Sequence, residues 1–148
     1  MDLIQIQPVN YQQEKIVINT IRTLVFQQEQ GVAPELEFDG QDETATHLLA
    51  YLNDKPVGTL RIRQLQPEIV KIERLAVLKP ARGQGIGKKL MISALTLVQK
   101  NPQIKQVTLN AQDYIKKLYE TLGFEQIGDR FDEAGIPHVK MIKQLPHS

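Results

Sequence analysis

The run Arg82-Gly83-Gln84-Gly85-Ile86-Gly87 places three glycines within five residues. Glycine admits positive φ and carries no β-carbon to hold a ligand away from the main chain. A helical pattern follows, with Ile86, Leu90, Ala94, Leu97 and Val98 on one face and Lys88, Lys89, Ser93, Thr96 and Lys100 on others. The amides that open a helix have no intrahelical acceptor and point outward at the positive end of its dipole. Together these features predict an anion cradle suited to a phosphate or pyrophosphate, with Arg82 and Lys88 adding charge at its rim. A tight turn without a ligand is the plainer reading. A nucleotide P-loop is disfavoured because Gly87-Lys88 is followed by Lys89 rather than a hydroxyl residue. A dinucleotide fingerprint is disfavoured because Lys88 stands where its third glycine belongs.

A second chemical candidate lies just upstream. Glu73 interrupts Ile69-Val70-Lys71-Ile72-Glu73-Arg74-Leu75-Ala76-Val77, an apolar, β-branched run that reads as a strand buried on much of both faces. A carboxylate there is costly unless it is paired or used. Burial moves a carboxylate toward the range useful to a general base. A structural ion pair with Arg74 or another cation accounts for Glu73 equally well. Strand alternation sends Glu73 and Arg74 to opposite faces unless a bulge intervenes.

The remaining elements follow from periodicity. Leu3 to Val9 alternates and reads as a strand, and Gln12 to Gln28 reads as a helix that carries Arg22. An acidic stretch with Glu35, Glu37, Asp39, Asp42 and Glu43 follows, either a solvated connector or a wall that attracts a cationic amine. Thr46–Leu52 and Val57–Leu65 read as antiparallel strands around Asn53-Asp54-Lys55-Pro56, with Arg61 and Arg63 sharing a face. Lys105 to Asn110 is the next strand. Asp113 could cap a short helix that runs to Leu122 and ends at Gly123. Glu125–Phe131 and His138–Lys143 form a closing hairpin. The expected fold class is an α/β sandwich: a twisted, mostly antiparallel sheet of about seven strands with helices on both faces. The strands at Ile69 and Val107 would be parallel neighbours joined by the long helix.

The 148 residues suit a single domain spanning 1–148, and a net charge of +1 implies no broad nucleic-acid or membrane field. Cysteine is absent, which removes disulfides and thiolate chemistry and fits a cytoplasmic setting. No signal peptide and no run long enough to cross a bilayer is legible. No histidine, aspartate and glutamate grouping suggests a metal site, and His47 and His147 carry no signal.

Arg82-x-x-Gly85-x-Gly87 after a Leu-Ala-Val strand resembles the acetyl-CoA pyrophosphate loop of the GNAT acetyltransferase superfamily. Tyr119-Glu120-Thr121-Leu122-Gly123-Phe124 resembles that family's second landmark. Ile72 to Val77, Leu109-Asn110-Ala111-Gln112 and Gly135-Ile136-Pro137-His138 are similar to the small bacterial ElaA-like members. The resemblance implies that the two parallel strands splay apart and that the pantetheine arm pairs with the exposed backbone. It implies acetyl-CoA as co-substrate, held by Leu75, Ala76 and Val77, by Arg82 through Lys88 (Gly83, Gln84, Gly85, Ile86 and Gly87 between them) and by Asn110 and Tyr119.

Acetyl transfer needs the amine deprotonated, the carbonyl polarised, the developing oxyanion held and the departing thiolate protonated. Glu73 is the base candidate and Tyr119 the acid, with Tyr114 weaker and a backbone amide near Leu75 as oxyanion donor. A core aromatic is the bland reading of Tyr119, and a strand-end cap that of Asn110. Arg22, Glu37, Asp39 and His138 are substrate-side candidates. The implied activity is N-acetylation of a primary amine of a small metabolite, such as an amino-sugar phosphate or a polyamine. Alternatives are an acyl-homoserine-lactone-synthase-like acyltransferase, on a distant similarity at Arg22, Val25-Phe26, Glu37 and Asp39, and a non-catalytic CoA-binding module. A homodimer is also an expectation of the resemblance.

Overall fold

A computed structural model describes residues 2–146. Seven strands form one sheet in the order β1-β2-β3-β4-β5-β7-β6. These are β1 (Ile4–Val9), β2 (Thr46–Leu52), β3 (Lys55–Gln66), β4 (Ile69–Val77), β5 (Gln106–Gln112), β6 (Glu125–Glu133) and β7 (Ile136–Gln144). Every adjacent pair is antiparallel except β4 and β5. The sheet turns tightly where φ can be positive, at Asn53-Asp54 (50° and 70°) and at Ala134-Gly135 (52° and 75°). The last hairpin turn is therefore shorter than the five-residue connection expected, and β6 and β7 are correspondingly longer.

Strand alternation divides the core. Leu48, Ala50, Leu60, Ile62, Val70 and Ile72 face α3 (Ile86–Gln99), whose Ile86, Leu90, Met91, Ala94, Leu95 and Val98 are buried against them. Leu49 and Ala76 face the other way, onto Ile18, Ile21 and Val25. Ile18 and Ile21 belong to α1 (Tyr11–Arg22), which Asn10 caps by accepting from the Gln13 amide. The single helix expected over Gln12–Gln28 instead becomes π-helical at Thr23–Glu29. This wide turn places Val25, Phe26, Glu29 and Gln30 along the cleft described below. A short α2 (Pro34–Glu37) follows.

After β5, Asp113–Ile115 forms a 3₁₀ turn that leads into α4 (Lys116–Thr121). Asp113 is not the helix cap expected of it. It is the first residue of the turn, and its carboxylate accepts from Arg130 at 2.8 Å. Gly123, at φ +93°, ends α4 as expected. There the Phe124 amide returns to the Tyr119 carbonyl at 3.1 Å and the Gly123 amide to that of Glu120 at 3.0 Å. This reversal folds Phe124 back against the Tyr119 ring, edge to face at 6.2 Å. Among the described residues no helix is long and apolar enough to cross a membrane.

Candidate functional site

The parallel ladder between β4 and β5 holds for only three residue pairs, Ile69 with Gln106, Val70 with Val107 and Lys71 with Thr108. Beyond Lys71 the strands part. The gap opens into a cleft of about 970 Å³ that runs from the glycine loop to the turn at His138. A shallower depression of about 880 Å³ lies along the outer face of α1 and shares none of the glycine loop, Glu73, Tyr119 or His138.

At the loop end, Gly83 and Gly85 have φ of +84° and +76°, and a β-carbon at either would meet nothing within 4 Å. These glycines serve backbone shape rather than packing. Gly85 starts α3 with no side-chain cap, and its carbonyl accepts the first intrahelical bond, from the Lys89 amide at 3.0 Å. The amides of Ile86, Gly87 and Lys88 are thus free of helical acceptors, and the Ile86 side chain is buried beneath them. Such an array fits a pyrophosphate, the anionic part of CoA. Arg82 contributes less charge than expected, because its guanidinium pairs with Glu29 at 2.6 Å and donates to the Val77 carbonyl at 2.9 Å. The Gln84 side chain is exposed and stands beside the cleft rather than lining it.

Midway, β4 carries a bulge. Thr59 pairs with Ala76 but Arg61 pairs with Glu73, so Arg74 and Leu75 together oppose Leu60. Arg74 takes φ +59°, a left-handed conformation that costs a non-glycine residue about 1 kcal/mol. Its guanidinium donates to the carbonyls of Leu36 and Glu37 and pairs with Asp39 at 3.3 Å, which offsets that cost. The bulge breaks alternation, so Glu73, Arg74 and Leu75 all line the cleft. Tyr119 lines it as well, only 6% exposed, and its hydroxyl has no protein partner among the described residues. Burial, with a smaller contribution from Tyr114, pushes the phenol up to about 12. Tyr114 stands exposed at the rim.

The wall of the cleft beyond Glu73 is an ion network. Arg22 is fully buried and bonds Glu37 and Asp42, both at 2.6 Å. Burial works against its charge, but the hydrogen bonds and charges of Glu37 and Asp42 prevail and hold it above its ordinary value. Arg61, also fully buried, reaches Asp39 at 2.8 Å, Asp42 at 3.0 Å and Glu73. Arg63 meets the other Glu73 oxygen at 3.0 Å, and the Lys71 ammonium stands 3.6 Å from it. Hydrogen bonding to Arg61 holds Asp39 far below the usual carboxylate range, against the effect of burial. Burial pushes Asp42 up, but its bonds to Arg22 and Arg61 outweigh this and hold it down. His47 closes the network through Nε2, 2.8 Å from the Asp42 carbonyl, and burial lowers its pKa.

This arrangement corrects two expectations. Arg22 cannot reach an acceptor, since its side chain is sealed beneath Glu37 and Asp42. The acidic stretch divides: Glu35 and Glu43 are exposed and solvated, whereas Glu37 and Asp39 line the cleft but are neutralised by arginines. At the far wall the His138 Nδ1–H donates to the Ile136 carbonyl at 2.6 Å, leaving Nε2 3.5 Å from Glu133. Asn110 donates to the same Glu133 at 3.2 Å. Sequence reasoning singled out neither the roles of Arg61, Arg63, Lys71 and Arg74 nor that of Glu133. Its available signal was the alternation Arg61-x-Arg63 and Lys71-x-Glu73 on adjoining strands.

The family model for the acetyltransferase (GNAT) domain matches residues 10–145. The chain belongs to the GNAT acetyltransferase family. It is 32% identical to the ElaA protein of Escherichia coli over 84% of each chain, and 35% identical to YjcF of Bacillus subtilis, named an N-acetyltransferase, over 83% and 87%. The crystal structure of ElaA superposes with a TM-score of 0.85 at 29% identity, covering 95% of this chain and 99% of that one. An acyl-CoA N-acyltransferase from Pseudomonas aeruginosa superposes at 0.82 with 28% identity, covering 95% and 99%. The sheet order, the parted strands and the glycine loop are thus a GNAT fold, resembling ElaA, and the chain is an acyltransferase. Among the described residues no cluster of His, Cys, Asp or Glu could hold a metal ion.

Proposed function

We infer that the protein moves an acetyl group from acetyl-CoA to a primary amine of a small molecule, by direct attack of the amine on the thioester. The observation that carries this reading is the continuity of one cleft, from free helix-opening amides, past unpaired strand backbone, to Tyr119 and then His138. Acetyl-CoA supplies the activated acyl group. Gly83 to Lys88 hold its pyrophosphate, and Leu75, Ala76 and Val77 offer ladder groups to its pantetheine arm. Asn110 borders the arm from the opposite strand.

Tyr119 is protonated throughout the working range of pH, so its hydroxyl donates to the departing sulfur. Glu73 has both oxygens engaged by arginines, and in place of the base role we assign it to holding Arg63 and Lys71 at the wall. His138 takes the amine proton. Its bond to the Ile136 carbonyl fixes the tautomer with a lone pair on Nε2, and Glu133 stabilises the imidazolium that forms. A non-catalytic CoA-binding module would need neither the unpartnered Tyr119 hydroxyl nor the oriented His138.

The test is acetyl-CoA-dependent thiol release over amino sugars, amino acids, polyamines and peptides, followed by kcat and acetyl-CoA affinity for His138→Asn and Glu73→Gln. A much larger fall in kcat for His138→Asn than for Glu73→Gln, with acetyl-CoA affinity kept in both, supports the assignment. The reverse pattern restores Glu73 as base.

A further inference from the structure

Two cations of like charge face each other on the cleft wall. Arg63 and Lys71 are directly opposed on β3 and β4. Like charges facing each other across a ladder are destabilising. The next pair on the same face, Arg61 opposite Glu73, is of opposite sign and needs no such explanation. Both side chains of the like-charged pair line the cleft and are about one-quarter exposed there.

Their counter-charge is incomplete. Arg63 and Lys71 share one oxygen of Glu73, while Arg61 holds the other. Asp39 and Asp42 serve Arg61, Arg22 and Arg74 instead. Glu133 attracts Lys71 at longer range, but it is half exposed, so solvent screens it. The buried Nε of Arg63, like that of the neighbouring Arg61, has no acceptor among the described residues. A buried guanidinium donor without a partner is expensive. Burial, reinforced by Arg63, Arg74 and Arg61 and opposed by Glu133, also lowers the pKa of Lys71, so an added negative charge would relieve its ammonium. The CoA phosphates do not supply that charge, because their cradle is at the opposite end of the cleft.

We propose that the acceptor amine carries its own anionic group, a carboxylate or a phosphate, and that Arg63 and Lys71 bind it, with Arg74 beside them. This rests on the acetyl-transfer reading and names the substrate class for that site. Such a group would meet the charge that the shared Glu73 oxygen offsets only in part: a guanidinium on one strand and an ammonium on the next. A polyamine, which is all cation, meets the wrong sign at this wall.

The experiment compares matched acceptors at saturating acetyl-CoA: α-amino acids against their amides, a hexosamine 6-phosphate against the free hexosamine, and spermidine. Acetyl-CoA binding is measured separately by calorimetry. The anionic member of at least one pair should have a kcat/KM at least tenfold higher, and which pair shows it distinguishes carboxylate from phosphate. Arg63→Gln and Lys71→Met should raise the KM for that acceptor at least tenfold more than for its neutral partner, with Arg63→Lys recovering part of the loss. The acetyl-CoA KM should stay within twofold. Equal turnover of neutral and anionic partners, preference for spermidine, or turnover of neutral amines but of no anionic one would overturn this inference alone. Failure to bind acetyl-CoA, or turnover of no amine at all, would overturn the acetyl-transfer reading with it.

Discussion

The two ends of the cleft are built from different materials. The cofactor end uses main chain: Gly83 and Gly85 in left-handed conformations, then the uncapped amides of α3. Its side chains are exposed or turned into the core, and the proposed cradle is made of contiguous residues. The acceptor end uses side chains alone. Arg61, Arg63, Lys71, Glu73 and Arg74 come from two strands, and they are fixed by Glu37, Asp39 and Asp42 from a distant loop. A main-chain cradle suits a constant ligand part such as a pyrophosphate, while a side-chain lattice can be retuned to a different acceptor by single substitutions.

The difference predicts opposite consequences of mutation. The largest is at the acceptor end. Arg61→Ala leaves Asp39, Asp42 and Glu73 short of counter-charge in a buried setting, and it should destabilise the protein by about 3–5 kcal/mol in chemical denaturation. A loss below about 1 kcal/mol would mean that the lattice is solvated in solution.

At the cofactor end the fold should tolerate change while affinity does not. Gly85→Val requires a branched residue at φ +76°, with nothing within 4 Å for its β-carbon to strike. It should remain folded by circular dichroism. It should lose about a hundredfold in acetyl-CoA affinity by calorimetry, the equivalent of one or two charge-assisted hydrogen bonds. Unchanged affinity in the folded variant would remove the main-chain cradle from the account.

Tyr119→Phe, at the boundary between the two ends, should cut turnover by about a hundredfold and leave acetyl-CoA affinity alone. Its pKa has a consequence for stability. The phenol is raised in the folded state above an ordinary value near 10, so its neutral form contributes stability that is intact below pH 10. That contribution is lost as pH rises through about 12, and Tyr119→Phe should flatten the alkaline limb of the stability profile. The smallest effect concerns acid. Asp39 and Asp42 are lowered, so their contribution is present above the ordinary carboxylate range and is lost as pH falls below it. Acid unfolding should steepen below about pH 4. It should shift upward in Asp39→Asn, by little, because Asp39 is partly exposed.

The contrast also explains what could be read from the chain. The seven strands, the parallel pair at Ile69 and Val107, the glycine loop and the Tyr119 reversal all have local signals: alternation, positive-φ residues and a helix stop at Gly123. Arg22 and the acidic stretch misled because charge looks the same in a sequence whether it faces solvent or is paired inside. Only the pairing of β3 with β4 shows Arg61 and Arg63 meeting Glu73 and Lys71. The bulge at Arg74 was legible only as a condition, since alternation cannot say where an extra residue is inserted. The π-helical turn at Thr23–Glu29 carries no local signal that would separate it from a continued α1.

The most direct test of the central claim incubates the protein with acetyl-CoA and the matched amines, and follows free thiol and acetylated product together by mass spectrometry. Equimolar free CoA and N-acetylated amine, in wild type and with a rate reduced in Tyr119→Phe, is the result predicted. Thiol release that does not depend on any amine, or no acetylated product from a protein that binds acetyl-CoA, would contradict it.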